Sequence, residues 1–119
     1  MQFDWDKLKA EQDLQKHGVT FDEASTVFGD LFALTEPDPE HSLDEDRERT
    51  IGMSHKSRTL FVITVDRDDE TGEITRIISA RKANTQELNA YADHVKSTIL
   101  AQAEGPEAGG GQRRGRRGS

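Results

Sequence analysis

Arg76-Ile77-Ile78-Ser79-Ala80-Arg81-Lys82-Ala83 is the stretch whose reading decides the fold. It reads as a short apolar strand that carries two arginines and a lysine, then turns into an amphipathic helix. Asn84 with Glu87 three residues later fits a capping box, and Leu88, Tyr91, Ala92, Val95 and Ile99 recur at helical spacing. Cationic side chains at the end of a strand, beside a helix N-terminus, suit a phosphate or another anion. Whether they serve an enzyme, a binding surface or the fold's own salt bridges is open at this point. There is also a geometric condition. Arg76 and Arg81 are five residues apart, so an unbroken strand points them to opposite faces. They share a site only if the strand ends or bulges near Ala80, with Arg81 at the strand-to-helix corner.

Working upstream, Leu60-Phe61-Val62-Ile63-Thr64-Val65 is the most apolar run and reads as the central strand. Asp66 to Gly72 forms a hairpin loop between it and a strand from Ile74 to Ala80, and Arg47 to Ile51 alternates as a further strand. Leu31 to Leu34 reads as a short strand ahead of a proline-rich, acidic loop over residues 36–46. Phe3-Asp4-Trp5 alternates in strand fashion. Asp6 is a credible N-cap for a helix over residues 7–17, closed by Gly18 after Lys16-His17. Thr20 with Glu23 marks a second capping box, and that helix stops at Gly29. The expected architecture is α+β: a small antiparallel sheet, two N-terminal helices, and a C-terminal helix lying across the sheet.

The chain has 119 residues, enough for one core. We expect a single domain over residues 1–104 and a disordered Gly/Arg-rich tail over 105–119, where Gly109-Gly110-Gly111 and two Arg-Arg pairs cannot build a core. The net charge of −7 divides unevenly: 12 Lys/Arg against 22 Asp/Glu up to residue 104, and 4 Arg against one Glu after it. An acidic body argues against broad nonspecific affinity for nucleic acid, so phosphate binding must come from a local cluster or the tail. The lack of cysteine excludes disulfide scaffolds, thiolate zinc sites and cysteine nucleophiles. No apolar run approaches the roughly 20 residues that span a bilayer, and no basic leader is present, so a soluble cytoplasmic protein with no membrane partner is expected. His41 with Asp38, Glu40 and Asp44 matches no closed zinc set, so no metal site is assigned.

Several of these residues together carry a resemblance. Phe3-Asp4-Trp5-Asp6, Lys9, Lys16-His17-Gly18-Val19, Phe21, Glu23-Ala24 and Val27-Phe28 resemble the N-terminal half of the BrnT toxin family. Glu45, Arg47, Ile51-Gly52, Arg58, Leu60, Arg76 to Arg81, Ala83, Glu87 and Tyr91 resemble its second half. The resemblance implies a bacterial type II toxin, a RelE-like ribonuclease that inhibits translation by cutting RNA. It implies a BrnA-like antitoxin with a ribbon-helix-helix part, and operator DNA contacted only through that antitoxin. The sequence departs from the family pattern at Asp13, where asparagine is common, at Leu31, where proline is frequent, and at Leu88, where arginine often stands. The last departure removes one cation near the site.

RNA cleavage without metal or cofactor needs the neighbouring 2′-hydroxyl deprotonated, the phosphorane charge stabilised and the leaving 5′-oxygen protonated. Arg76 and Arg81 are the first candidates for the charge, since a guanidinium fork matches phosphate oxygens; structural ion pairs are the competing reading. His17 is the candidate acid or base, with a helix-end histidine facing water as its bland alternative. Lys9, Lys82, Arg47 and Arg58 are candidate phosphate contacts, and Arg49 alternates beside them. Glu87 could be read as a base, but its capping role explains it fully. Tyr91 belongs to an apolar stripe, with base stacking as the sharper reading. A second function class stays open: a non-catalytic module that pairs with a DNA-binding regulatory partner.

Overall fold

The computed structural model describes residues 2–39, 46–69 and 72–103. The expected tail and most of the acidic loop lie outside these residues. Five strands and three helices follow in the order β1 (Gln2–Asp4), α1 (Lys7–His17), α2 (Phe21–Ser25), β2 (Leu34–Pro37), β3 (Arg47–Met53), β4 (Thr59–Asp69), β5 (Gly72–Lys82) and α3 (Thr85–Ala103). A 3-10 turn, Thr26–Gly29, extends α2.

The sheet order is β1-β5-β4-β3-β2, so β4, the most apolar run, is central as expected. Pairing is antiparallel from β2 through β5, but β1 joins β5 in parallel, with Gln2 opposite Ile74 and Asp4 opposite Arg76. The sheet is therefore mixed, not antiparallel throughout. The chain between these two partners is long enough to return β5 in the same sense as β1.

One face of the sheet carries the core. Val19, Phe21, Ala24 and Val27 pack on Leu60, Val62, Ile77 and Ala80, and Trp5 meets Phe21 edge-on at 6.0 Å between centroids. Gly52 lets β3 pass close to this layer: a Cβ there would stand 3.2 Å from the Val27 and Ala33 Cβ atoms. Helix α1 begins where Asp6 accepts from the Leu8 and Lys9 N–H groups, and ends at Gly18, whose φ of 71° permits the left-handed closing turn.

The hairpin loop expected over Asp66 to Gly72 is largely strand, since β4 runs to Asp69 and β5 starts at Gly72, and three further local expectations change. Thr20 caps α2 by accepting from the Glu23 N–H, yet Glu23 does not complete the box, because its carboxylate turns inward to Arg58 and Ser54. Residues 31–33 do not form a strand: Asp30 accepts from the Phe32 N–H and folds a turn, leaving Leu31 94 % exposed, and β2 starts only at Leu34. Helix α3 has its predicted capping box, with the Glu87 N–H donating to Asn84 and the Asn84 N–H to Glu87, both at 2.8 Å. It does not lie across the sheet as a core helix, however. None of its residues is buried, and Leu88, Ile99 and Leu100 are exposed. Its tethers to the body come from the first two turns, through Glu87 and Tyr91.

Candidate active site

The geometric condition on the two arginines is met by a bulge. Successive β4 residues Ile63 and Thr64 pair with Ser79 and Ile77, so Ile78 is an extra residue in β5. That one residue restores the phase. Arg76 and Arg81 both face away from the core, while Ile77 and Ala80 are buried in it. The strand itself runs on to Lys82, so the alternative route, an early end before Arg81, is not taken.

The cross-strand registers lay out this outer face in rows. Ile51, Phe61 and Arg81 stand in one row, Arg49, Ile63 and Ser79 in the next, and Arg47, Val65 and Arg76 in the third. Successive rows are two residues apart along a strand, so Arg81 and Arg76 are separated by about 13 Å. Over these rows lies an open groove of about 610 Å³ whose charged lining includes Lys9, Arg47, Arg49 and Arg81 against Asp38 and Glu87. Among the described residues cations outnumber carboxylates there, on a protein that is otherwise acidic.

Arg81 is the best-defined member. Its guanidinium lies 4.2 Å from the Phe61 ring centroid and donates to both Glu87 oxygens, at 2.8 and 2.9 Å. With a further bond to the Lys82 carbonyl, three of its five N–H groups are engaged; two have no partner among the described residues. Burial works to raise the Glu87 pKa, but the hydrogen bonds from Arg81 and the Asn84 N–H, with the charges of Arg81 and Arg49, hold it below the usual carboxylate range. Arg49 also reaches Glu36 at 3.2 Å.

Lys9 enters the groove from α1, held by Asp13 at 3.0 Å. Asp13 is 3 % exposed, and its other oxygen accepts from the Ala80 N–H at 2.9 Å and the Ser79 hydroxyl at 3.1 Å. This one carboxylate therefore pins β5 just after the bulge and aims a lysine over it. Burial opposes its ionisation, and the bonds from Ala80, Lys9 and Ser79 together outweigh burial and keep its pKa low.

The other sequence candidates lie elsewhere. Arg76 faces the right way but sits at the far row, paired with Asp4 at 3.3 Å. His17 closes α1 eight residues after Lys9, about 12 Å along the axis, and does not line the groove. Arg58 is given over to Glu23: its Nε donates to Oε2 at 2.9 Å, a second nitrogen takes Oε1, and the Gly18 carbonyl accepts at 3.3 Å. Tyr91 donates to Asp30 at 2.6 Å, and burial with that carboxylate pushes its pKa up to about 12. Lys82, exposed at the end of β5, opposes Leu60 and so belongs to the other face. Sequence reading assigned no role to Asp13 or Phe61. Asp13 stood out only as a departure from a family pattern, and nothing local marks a core strand's phenylalanine as a support for an arginine.

Comparison with known proteins bears on what this face is for. The family model described as "Ribonuclease toxin, BrnT, of type II toxin-antitoxin system" matches residues 5–87. The chain belongs to the BrnT family of ribonuclease toxins. Among solved structures, the 1.1 Å crystal structure of the Brucella abortus ribonuclease toxin BrnT is similar, with 25 % identity and a TM-score of 0.55. The match covers 71 % of this chain and 99 % of that one. No curated protein sequence matches the chain. The BrnT match spans Lys9, Asp13, the bulge, Arg81 and Glu87, and stops at the first turn of α3. As a type II toxin of this family, the protein has RNA as its target class and an antitoxin as its partner.

Proposed function

We propose that the outer face of β3, β4 and β5 cleaves RNA without a metal ion and that this activity inhibits translation. The observation that carries the reading is the convergence of Lys9, Arg47, Arg49 and Arg81 on one open groove of an acidic protein. In this reading the 2′-oxygen attacks the adjacent phosphorus while its proton passes to water, and the bond to the 5′-oxygen breaks. Arg81 receives the non-bridging oxygens on its two N–H groups without described partners, and Arg49 and Arg47 continue the track for the flanking phosphates. The Lys9 ammonium, fixed by Asp13, gives a proton to the leaving 5′-oxygen. Arg76, two rows along the same face, binds a further phosphate, whereas Lys82, on the opposite face, lies off this track. His17 stays off the groove, so the acid role falls to Lys9.

The antitoxin is of the BrnA-like ribbon-helix-helix class, and operator DNA is reached only through it. Growth arrest on expression, relieved by co-expression of such a partner, distinguishes this reading from a non-catalytic binding module.

The direct experiment incubates the purified chain, freed of antitoxin, with RNA in the presence of a chelator, with and without ribosomes, beside an Arg81→Ala variant. Cleavage by the parent that falls at least 100-fold in the variant is expected, the scale of a lost oxyanion donor. No cleavage by the parent under any of these conditions overturns the reading. Cleavage that a chelator abolishes removes the metal-free mechanism.

A further inference from the structure

A second recess opens sideways off the cationic groove. Leu34 of β2, Ile51 of β3, Phe61 of β4 and Ala90 of α3 give it apolar walls, and Glu36 of β2 and Gln86 of α3 add polar edges. It is smaller than the groove, about 240 Å³ against about 610 Å³. The two are continuous, because Arg49, Phe61 and Glu87 line both. A recess with apolar walls and polar edges, sharing Arg49 with the cationic groove, fits a ligand with a flat ring and an anion a few bonds apart. A nucleotide has that form.

We propose that this recess receives the nucleobase next to the phosphate held at Arg81, and so sets which RNA sequences the groove accepts. The inference rests on the ribonuclease reading, yet it can fail separately. Single-stranded RNA is recognised by splaying bases onto apolar and aromatic surfaces and reading their edges. Phe61, whose ring already carries the Arg81 guanidinium, joins base slot and phosphate site in one side chain. Gln86, exposed in the first turn of α3, offers both a donor and an acceptor toward a base edge. An apolar peptide side chain in the same place would leave the Gln86 amide without a match. A base attached to a phosphate uses both that amide and Arg49.

The test uses the full chain and a short RNA made uncleavable by 2′-O-methylation, with one abasic nucleotide moved through each position. Parent protein is expected to lose roughly tenfold in affinity at one position and little elsewhere. Ala90→Leu, a substitution that suits a helix and fills the slot, is expected to abolish that positional loss while pyrophosphate binds as to the parent. Equal affinity for every abasic RNA overturns the proposal, as does an Ala90→Leu protein that still discriminates. Should Ala90→Leu not fold, Gln86→Ala decides: a flattened preference among the four bases supports the slot, and an unchanged preference refutes it. Positional discrimination without any cleavage of ordinary RNA leaves the slot standing and removes the ribonuclease reading. Cleavage without discrimination does the reverse.

Discussion

The molecule contains two arginine–glutamate pairs built from the same local motif, and they have different fates. Glu23 and Glu87 each stand three residues after a helix-capping residue, Thr20 and Asn84. At the first pair the glutamate abandons its box, sinks to 1 % exposure, and is filled on both oxygens by Arg58 with Ser54 donating at 2.6 Å. At the second the box closes, and the glutamate meets Arg81 in an open groove beside an aromatic ring. The difference lies in what the fold places alongside. Burial of the carboxylate makes the first pair a fastener between α2 and the start of β4, whereas the second keeps a guanidinium open to solvent, where the proposed substrate would meet it.

The largest expected effect comes from breaking the buried pair. Arg58→Ala strands the buried Glu23 carboxylate without its guanidinium, a strongly destabilising loss measurable by urea unfolding. Cleavage per folded molecule should match the parent; a specific loss of cleavage in folded protein would return Arg58 to the RNA track. The same pair predicts an acid response. Chiefly through the Arg58 hydrogen bond, Glu23 is lowered from 4.5 to about 2. Its contribution is therefore complete above about pH 4.5 and disappears as pH falls toward about 2. Glu23→Gln should flatten stability across that window.

Arg81→Ala reverses the profile. An ion pair that is partly exposed contributes at most about 1 kcal/mol to folding. The expected loss is in the transition state, about 3 kcal/mol or some 100-fold in rate. A variant that unfolds readily instead would make the two pairs alike and end the contrast. Next in size is Asp13→Ala, which leaves the buried Ala80 N–H without an acceptor, at a cost of about 2 kcal/mol. Asp13→Asn keeps an oxygen for that N–H but gives up the anion holding Lys9. It should unfold like the parent and cleave more slowly; normal cleavage would detach Lys9 from the chemistry.

Much of the architecture was legible because it is written locally. Asp6, Gly18, Thr20 and Asn84 mark helix ends through their own chemistry, and the run from Leu60 to Val65 could only be central. What escaped is what depends on distant partners. Nothing within Phe3-Asp4 says that β1 returns parallel to β5, and Glu23 leaves its box only because Arg58 arrives from 35 residues away. The site divides in the same way. Arg81, Lys9 and Arg47 were singled out by residue type and resemblance, but Arg76 shares their face only because of one bulged residue, Ile78. Composition cannot reveal that phase shift, and nothing local marks Asp13, noticed only as a departure from a family pattern, as the carboxylate that braces it. His17 and Arg76 show the converse: suitable chemistry that the fold holds away from the groove lining.

The smallest expected effect sharpens the contrast at α3. Tyr91 lies on the helix's apolar stripe, and the two readings of its ring, packing or base stacking, both ignore its hydroxyl. In the structure that hydroxyl ties α3 to Asp30, which also accepts from the Phe32 and Met53 N–H groups. Burial raises the Asp30 pKa while Tyr91 and the two N–H groups lower it, with the lowering dominant. Tyr91→Phe keeps the ring and removes one donor, so it should cost about 1 kcal/mol and let the Asp30 pKa rise, readable by carbon NMR of the carboxylate. RNA cleavage should not change, because neither residue lines the groove. If Tyr91→Phe is silent in stability while Tyr91→Ala weakens RNA binding, the ring is a stacking surface and the tether is incidental. If Tyr91→Phe loosens α3 and also erodes base discrimination, the helix angle set by Asp30 is what holds Gln86 and Ala90 over the recess.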